Sequence, residues 1–165
     1  MALQDVDLHE IAGAIFAAML QFELVPAHAP TVPGGEQSTV TGCVHVTGEW
    51  EGAVTFECSE LLARRAAATM FALSLDDVSA AEVADTVGEL ANMVGGNVKS
   101  LLGGECGLSL PSVSGGSDHS MTIPGALPID RVAATCEGEP VVVTLLERVS
   151  SNAPVAASEL SKEPT

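Results

Sequence analysis

The chain has 165 residues, 47% of them apolar, and a formal net charge of −16 from 22 acidic and 6 basic side chains. The length supports one domain with a sizeable core, and the charge repels phosphate backbones and anionic lipid, which argues against nucleic-acid and membrane-surface roles. Tyr is absent, Trp occurs once, and the four cysteines form no CxxC pair, so base-stacking platforms are lacking and free thiols are expected.

Met1 to Glu10 carries Asp5, Asp7 and Glu10 without a basic n-region, so it does not read as a secretory signal. No apolar run approaches the roughly 18 residues that span a bilayer, and a cytoplasmic location is expected. Asp7 to Leu20 reads as a helix: Leu8, Ile11, Ile15, Met19 and Phe22 recur at three- and four-residue steps, and Asp7 and Glu10 have capping-box spacing. Three prolines and Gly34-Gly35 make the stretch from Val25 to Gly35 a loop. Thr39 to Thr47 alternates, with Val40, Gly42, Val44 and Val46 on one face. With Ala53 to Glu57 it forms a β-hairpin turned at Gly48 to Gly52.

Ser59 caps a helix running to about Phe71. Ser79 opens the longest helix, Ala81 to Leu102, and Gly103-Gly104 stops it. Gly107 to Val113 and Ser117 to Ile123 read as strands turned by Gly115-Gly116. After Pro124 to Pro128, Arg131 to Cys136 and Val141 to Arg148 form a last hairpin around Glu137-Gly138-Glu139-Pro140. The order α-β-β-α-α-β-β-β-β groups like with like and predicts an α+β fold, a mostly antiparallel sheet packed with two long helices. Residues 1–149 are expected to form a single domain, and the small, polar, Pro-containing 150–165 a disordered tail.

The long helix carries the chemistry. At about 100° per residue, with Asp85 at zero, Glu89 falls near about +40°, Asn92 about −20°, Gly96 about +20° and Lys99 about −40°. Val83, Val87, Leu90, Ala91, Val94, Val98 and Leu101 fall on the opposite side and must face the core. Every amphipathic helix has a polar face, but three details set this one apart. Asn92 is a poor helix former placed mid-helix. Gly95-Gly96 weaken the same helix. Gly96 lies on the polar strip, where another backbone or side chain can approach closely.

Asp85-x-x-x-Glu89-x-x-Asn92 resembles the signature of the CheC/CheX/FliY phosphatases. "VADTVGELANMVGGNVKSLL", Val83 to Leu102, is similar to the CheX helix, and "VTGCVHVTGEWEGAVTFECS" and "GLSLPSVSGG" are similar to the family's flanking segments. The motif of that family ends in a Pro beyond the Asn, and Pro111 is the candidate, across a shorter gap than usual. Two acidic–Asn copies mark CheC-type members; here Glu10 is followed three residues later by Gly13, so the single stripe is CheX-like.

The resemblance implies hydrolysis of the phospho-aspartate of a CheY-like response regulator, in chemotaxis or another two-component pathway. It implies that Asn92 orients a water in line with the phosphoryl group and that Glu89 pairs with the regulator's active-site lysine. Asp85, Gly96 and Lys99 are then partner contacts. No cofactor is expected on this chain; Mg2+ belongs to the partner regulator. A homodimer is also implied. The alternative is a non-catalytic binding module of the same fold that docks on a receiver domain.

Other candidates are weaker. Cys43 and His45 share a strand face near Cys58, but no usual zinc spacing appears, and buried small hydrophobes fit these cysteines better. His119 beside Asp118 reads as surface. Gly103-Gly104 with Gly107 ends a helix rather than opening one, so it is not a phosphate loop. Asn97, at the helix flank, reads as structural.

Overall fold

The computed structural model describes residues 6–27, 38–117 and 121–150. Three helices lie on one face of an antiparallel sheet, in the order α1 (Leu8–Leu20), β1 (Leu24–Pro26), β2 (Thr39–Gly48), β3 (Gly52–Ser59), α2 (Glu60–Phe71), α3 (Ala80–Leu102), β4 (Cys106–Leu108), β5 (Ser112–Gly116), β6 (Ala126–Cys136) and β7 (Glu139–Arg148). This is the predicted α+β fold and order, with one short strand, β1, added. A single 3-10 turn, Leu75–Asp77, links α2 to α3.

Each helix starts where a side chain replaces the missing backbone acceptor of its first turn. The Asp7 carboxylate accepts from the Glu10 amide at 2.9 Å, and the Ser59 hydroxyl from the Leu62 amide at 3.1 Å. At α3 the box is reciprocal: Glu82 N–H donates to Ser79 Oγ and Ser79 N–H to Glu82 Oε2. Gly103 at φ 68° ends α3, in the backbone region glycine enters without steric cost.

The sheet runs β1-β6-β7-β3-β2-β4, and β5 also pairs with β2. Register decides which side chains meet the helices. Val40, Val44, Val54, Phe56, Cys58, Val141, Val143 and Leu145 share one face and join Leu8, Phe16, Leu62, Val87, Leu90 and Val94 in the core. Phe16 and Phe56 meet with ring centroids 5.7 Å apart. Gly42 lets α3 settle onto β2, since a Cβ there would stand 2.9 Å from Ala91 Cβ. The last hairpin turns on Glu137 (φ 50°) and Gly138 (φ 80°), two left-handed residues that match the twist of the strands.

Four expectations change. Val25 and Pro26 are not loop: they pair with Thr135 and Ala134 as an edge strand, where proline's missing N–H can point away from the ladder. Gly115-Gly116 is not a turn but the end of β5, paired with Val40 and Thr39. The single strand Gly107 to Val113 is two, β4 and β5, broken at Ser109-Leu110-Pro111. Met121 to Ile123 is not a strand. The remainder of the first loop (28–35), the Asp118–His119 pair and residues 151–165 of the tail lie outside the described residues.

Candidate functional site

The capping box fixes the start of α3, and its apolar stripe fixes its rotation. Val87, Ala91, Val94 and Val98 are completely buried and Leu90 nearly so; Val83 and Leu101 pack against the same core. With that stripe turned inward, Asp85 and Glu89 are exposed, and Asn92, Gly96 and Lys99 are half-buried. The strip read from the sequence is therefore one continuous outward line over some four turns of helix.

Among the described residues, the side chains of Asp85, Glu89, Asn92 and Lys99 have no hydrogen-bond or ion-pair partner within the chain. Asn97 behaves otherwise: its amide donates to the Met93 carbonyl at 2.8 Å, the structural role expected of it. The two glycines of α3 that looked alike in sequence also differ. A Cβ on Gly95 would collide with Val44 Cγ2, whereas one on Gly96 meets nothing within 4 Å. Gly95 thus serves the packing of α3 on β2, and Gly96 leaves a flat, open place on the strip.

Pro111 lies beside this strip. Its Cγ stands 3.4 Å from the Cβ position of Gly88, next to Val113 Cγ2 at the same distance. The segment that carries Pro111 accordingly runs along the flank of α3 that holds Gly88.

The zinc arrangement is not formed. Cys58 faces the helices and belongs to the core, while Cys43 and His45 point to the other face of the sheet, where Cys43 Sγ and His45 Nε2 are 3.8 Å apart. Among the described residues no group of three or more His, Cys, Asp or Glu side chains converges on a metal position. All four cysteines are free. Burial raises the thiol pKa of Cys43 and Cys58. Cys136 is pushed up to about 11, chiefly by burial and further by Glu137, with Arg65 opposing. These thiols stay protonated and unreactive at neutral pH.

What the strip can do follows from its chemistry. It supplies an amide that both donates and accepts, and a carboxylate free to meet a cation. It contains no nucleophile, no metal set and no cationic phosphate cradle, and it is an outward helix surface rather than a cleft.

The family described as chemotaxis phosphatase CheX matches residues 40–134, which hold the whole of α3. No curated protein matches the chain. Among solved structures, chemotaxis protein CheX from Vibrio vulnificus is 22% identical with a TM-score of 0.72, over 88% of this chain and 97% of that one. A chemotaxis protein CheX from Desulfovibrio desulfuricans is 20% identical with a TM-score of 0.67, over 85% and 96%. The CheX–CheY–BeF3–Mg2+ complex from Borrelia burgdorferi matches at 19% identity and a TM-score of 0.65, over 86% and 95%. No helix of the described residues is long and apolar enough to cross a membrane.

Proposed function

The chain belongs to the CheX family of chemotaxis phosphatases, and from that premise we propose that it hydrolyses the phospho-aspartate of a CheY-like response regulator. The observation that carries the proposal is the pair Glu89 and Asn92, presented outward on a rigidly anchored helix with no partner in their own chain. The reaction transfers the phosphoryl group to water, releasing inorganic phosphate and restoring the regulator's carboxylate.

Phosphoryl transfer depends on positioning and charge stabilisation more than on covalent help. Asn92 enters the regulator's active site and holds the attacking water by one hydrogen bond while touching the phosphoryl group by another. A bare carboxylate beside that anion would repel it, so Glu89 engages the regulator's active-site lysine and locks the docked geometry. Asp85 and Lys99 contact the partner at the rim, and Gly96 admits its close approach. The Mg2+ and the lysine come with the regulator, which is why this chain needs few cations of its own. The CheX–CheY complex from Borrelia burgdorferi supports this choice of partner.

The reading extends to a cytoplasmic location, where receiver domains work and where unpaired cysteines persist. It also extends to a homodimer joined along sheet edges. Among the described residues β1 pairs only with Ala134–Cys136, leaving the outer side of the start of β6 without a strand partner.

The test is phosphate release from an acetyl-phosphate-charged CheY-like receiver, with and without this chain. Acceleration that scales with the amount of chain is expected. Binding without acceleration contradicts the enzyme and leaves a docking module of the same fold.

A further inference from the structure

A cavity of about 440 Å³ lies where the first turns of α2 and α3 meet the β2–β5 pair, and no residue of the α3 strip lines it. Its cause is in the sequence. α3 faces it with the methyl groups of Ala80 and Ala84. Gly115, paired with Val40 and so on the helix side of the sheet, brings no side chain at all. The elements therefore pack around a gap that their own residues are too small to fill. The walls that remain are apolar: Val40 and Val78 are buried, and Val83 and Val113 are half-buried. The volume falls within the range of small-molecule sites, roughly 300–1,000 Å³, which are mostly apolar with a few polar groups that fix orientation.

One polar group in the lining is uncommon in this molecule. Arg64 of α2 is half-buried, and its Nη2 donates to the Leu75 carbonyl at 2.9 Å. That bond fixes the guanidinium without neutralising it. Arg65 and Arg148 each meet a carboxylate, whereas Arg64 meets none among the described residues, not even Glu60 one turn earlier. A fixed guanidinium with N–H donors to spare suits a carboxylate, which it can hold by two parallel hydrogen bonds. Glu60 also borders the cavity, and it and the net charge of −16 disfavour a multiply charged anion such as phosphate. One negative charge and an apolar body match this lining. We propose that the cavity binds a monocarboxylate with a short aliphatic chain, its carboxylate on Arg64 and its chain among the four valines. The assignment is independent of whether a receiver docks on α3.

The experiment uses the full chain, with hexanoate as the probe and hexan-1-ol as its uncharged counterpart, followed by calorimetry and by NMR of the valine methyl groups. At neutral pH hexanoate is expected to bind with a submillimolar Kd, at least about tenfold tighter than hexan-1-ol, and to shift the methyl signals of Val40, Val78, Val83 and Val113. Arg64→Gln keeps a donor for the Leu75 carbonyl and removes the charge. It should weaken hexanoate about tenfold and leave hexan-1-ol unchanged. Ala84→Leu fills the gap and should abolish binding of both probes, with Tm equal to or above that of wild type. Equal affinity for hexanoate and hexan-1-ol, or an Arg64→Gln chain that binds hexanoate as wild type does, overturns the proposal. So do tighter binding of inorganic phosphate, methyl shifts confined to other residues, and no hexanoate binding at about 10 mM.

Discussion

An asparagine inside a helix costs a few tenths of a kcal/mol relative to alanine, and Asn92 recovers none of that from its own chain. Asn97, one and a half turns on, shows the contrast: its amide closes on the Met93 carbonyl. Asn92 instead faces solvent, where its amide is available to the partner proposed above. Thr86 is the opposite kind of exception. It is completely buried in the same helix, and its hydroxyl has no hydrogen-bond partner. A buried unsatisfied hydroxyl destabilises by about 1–3 kcal/mol, and valine has the same shape without it. Thr86→Val is therefore expected to stabilise the fold by about 1 kcal/mol in urea denaturation. A loss of stability would mean that the hydroxyl is satisfied after all.

At the scale of elements, α3 joins a core face to the outward face proposed for docking, and two adjacent glycines fall one on each. Gly95→Ala forces a methyl into Val44 and should destabilise by about 1–3 kcal/mol. Gly96→Ala meets open space and should stabilise by about 1 kcal/mol through helix propensity, while weakening receiver binding if the partner approaches there. Chemical denaturation of the two variants, with receiver binding of the second, checks both statements. Equal effects on stability would refute the division.

The helices were legible in the sequence because each has its own local signals: Asp7, Ser59 and Ser79 as caps, and an apolar step of three or four residues. The strip was legible for the same reason, since helical geometry alone puts Asp85, Glu89 and Asn92 on one line once the core side is known. The β1 strand was not, because Leu24-Val25-Pro26 has no alternation to read and gains its ladder only from β6. The break between β4 and β5 was hidden as well. A bulge is a property of two strands in register, and Pro111 inside an apolar run was its one sequence signal.

For the molecule as a whole, charge is the dominant long-range term. Six basic residues face 22 acidic ones, and the described ion pairs, Arg65–Glu137 and Arg148–Glu51, lie at the surface, where such pairs contribute little. Self-repulsion therefore opposes the compact state. Raising ionic strength from about 0.01 M to about 0.15 M shortens the screening length from about 30 Å to about 8 Å, and Tm is expected to rise by several degrees across that range. A flat or falling Tm in a calorimetric salt series would show that the acidic surface is already locally compensated.

The proposed function has this acidic molecule meet its partner through an amide and a carboxylate on α3 and gives the chemistry to the amide. That assignment is read most directly from the rate of inorganic phosphate release from an acetyl-phosphate-charged CheY-like receiver, at saturating wild-type or Asn92→Ala chain. Loss of one positioning group lowers turnover on the order of 10²-fold, with circular dichroism unchanged and Tm equal or slightly raised, because the side chain faces outward and alanine is the better helix former. Equal rates for the two chains would contradict it.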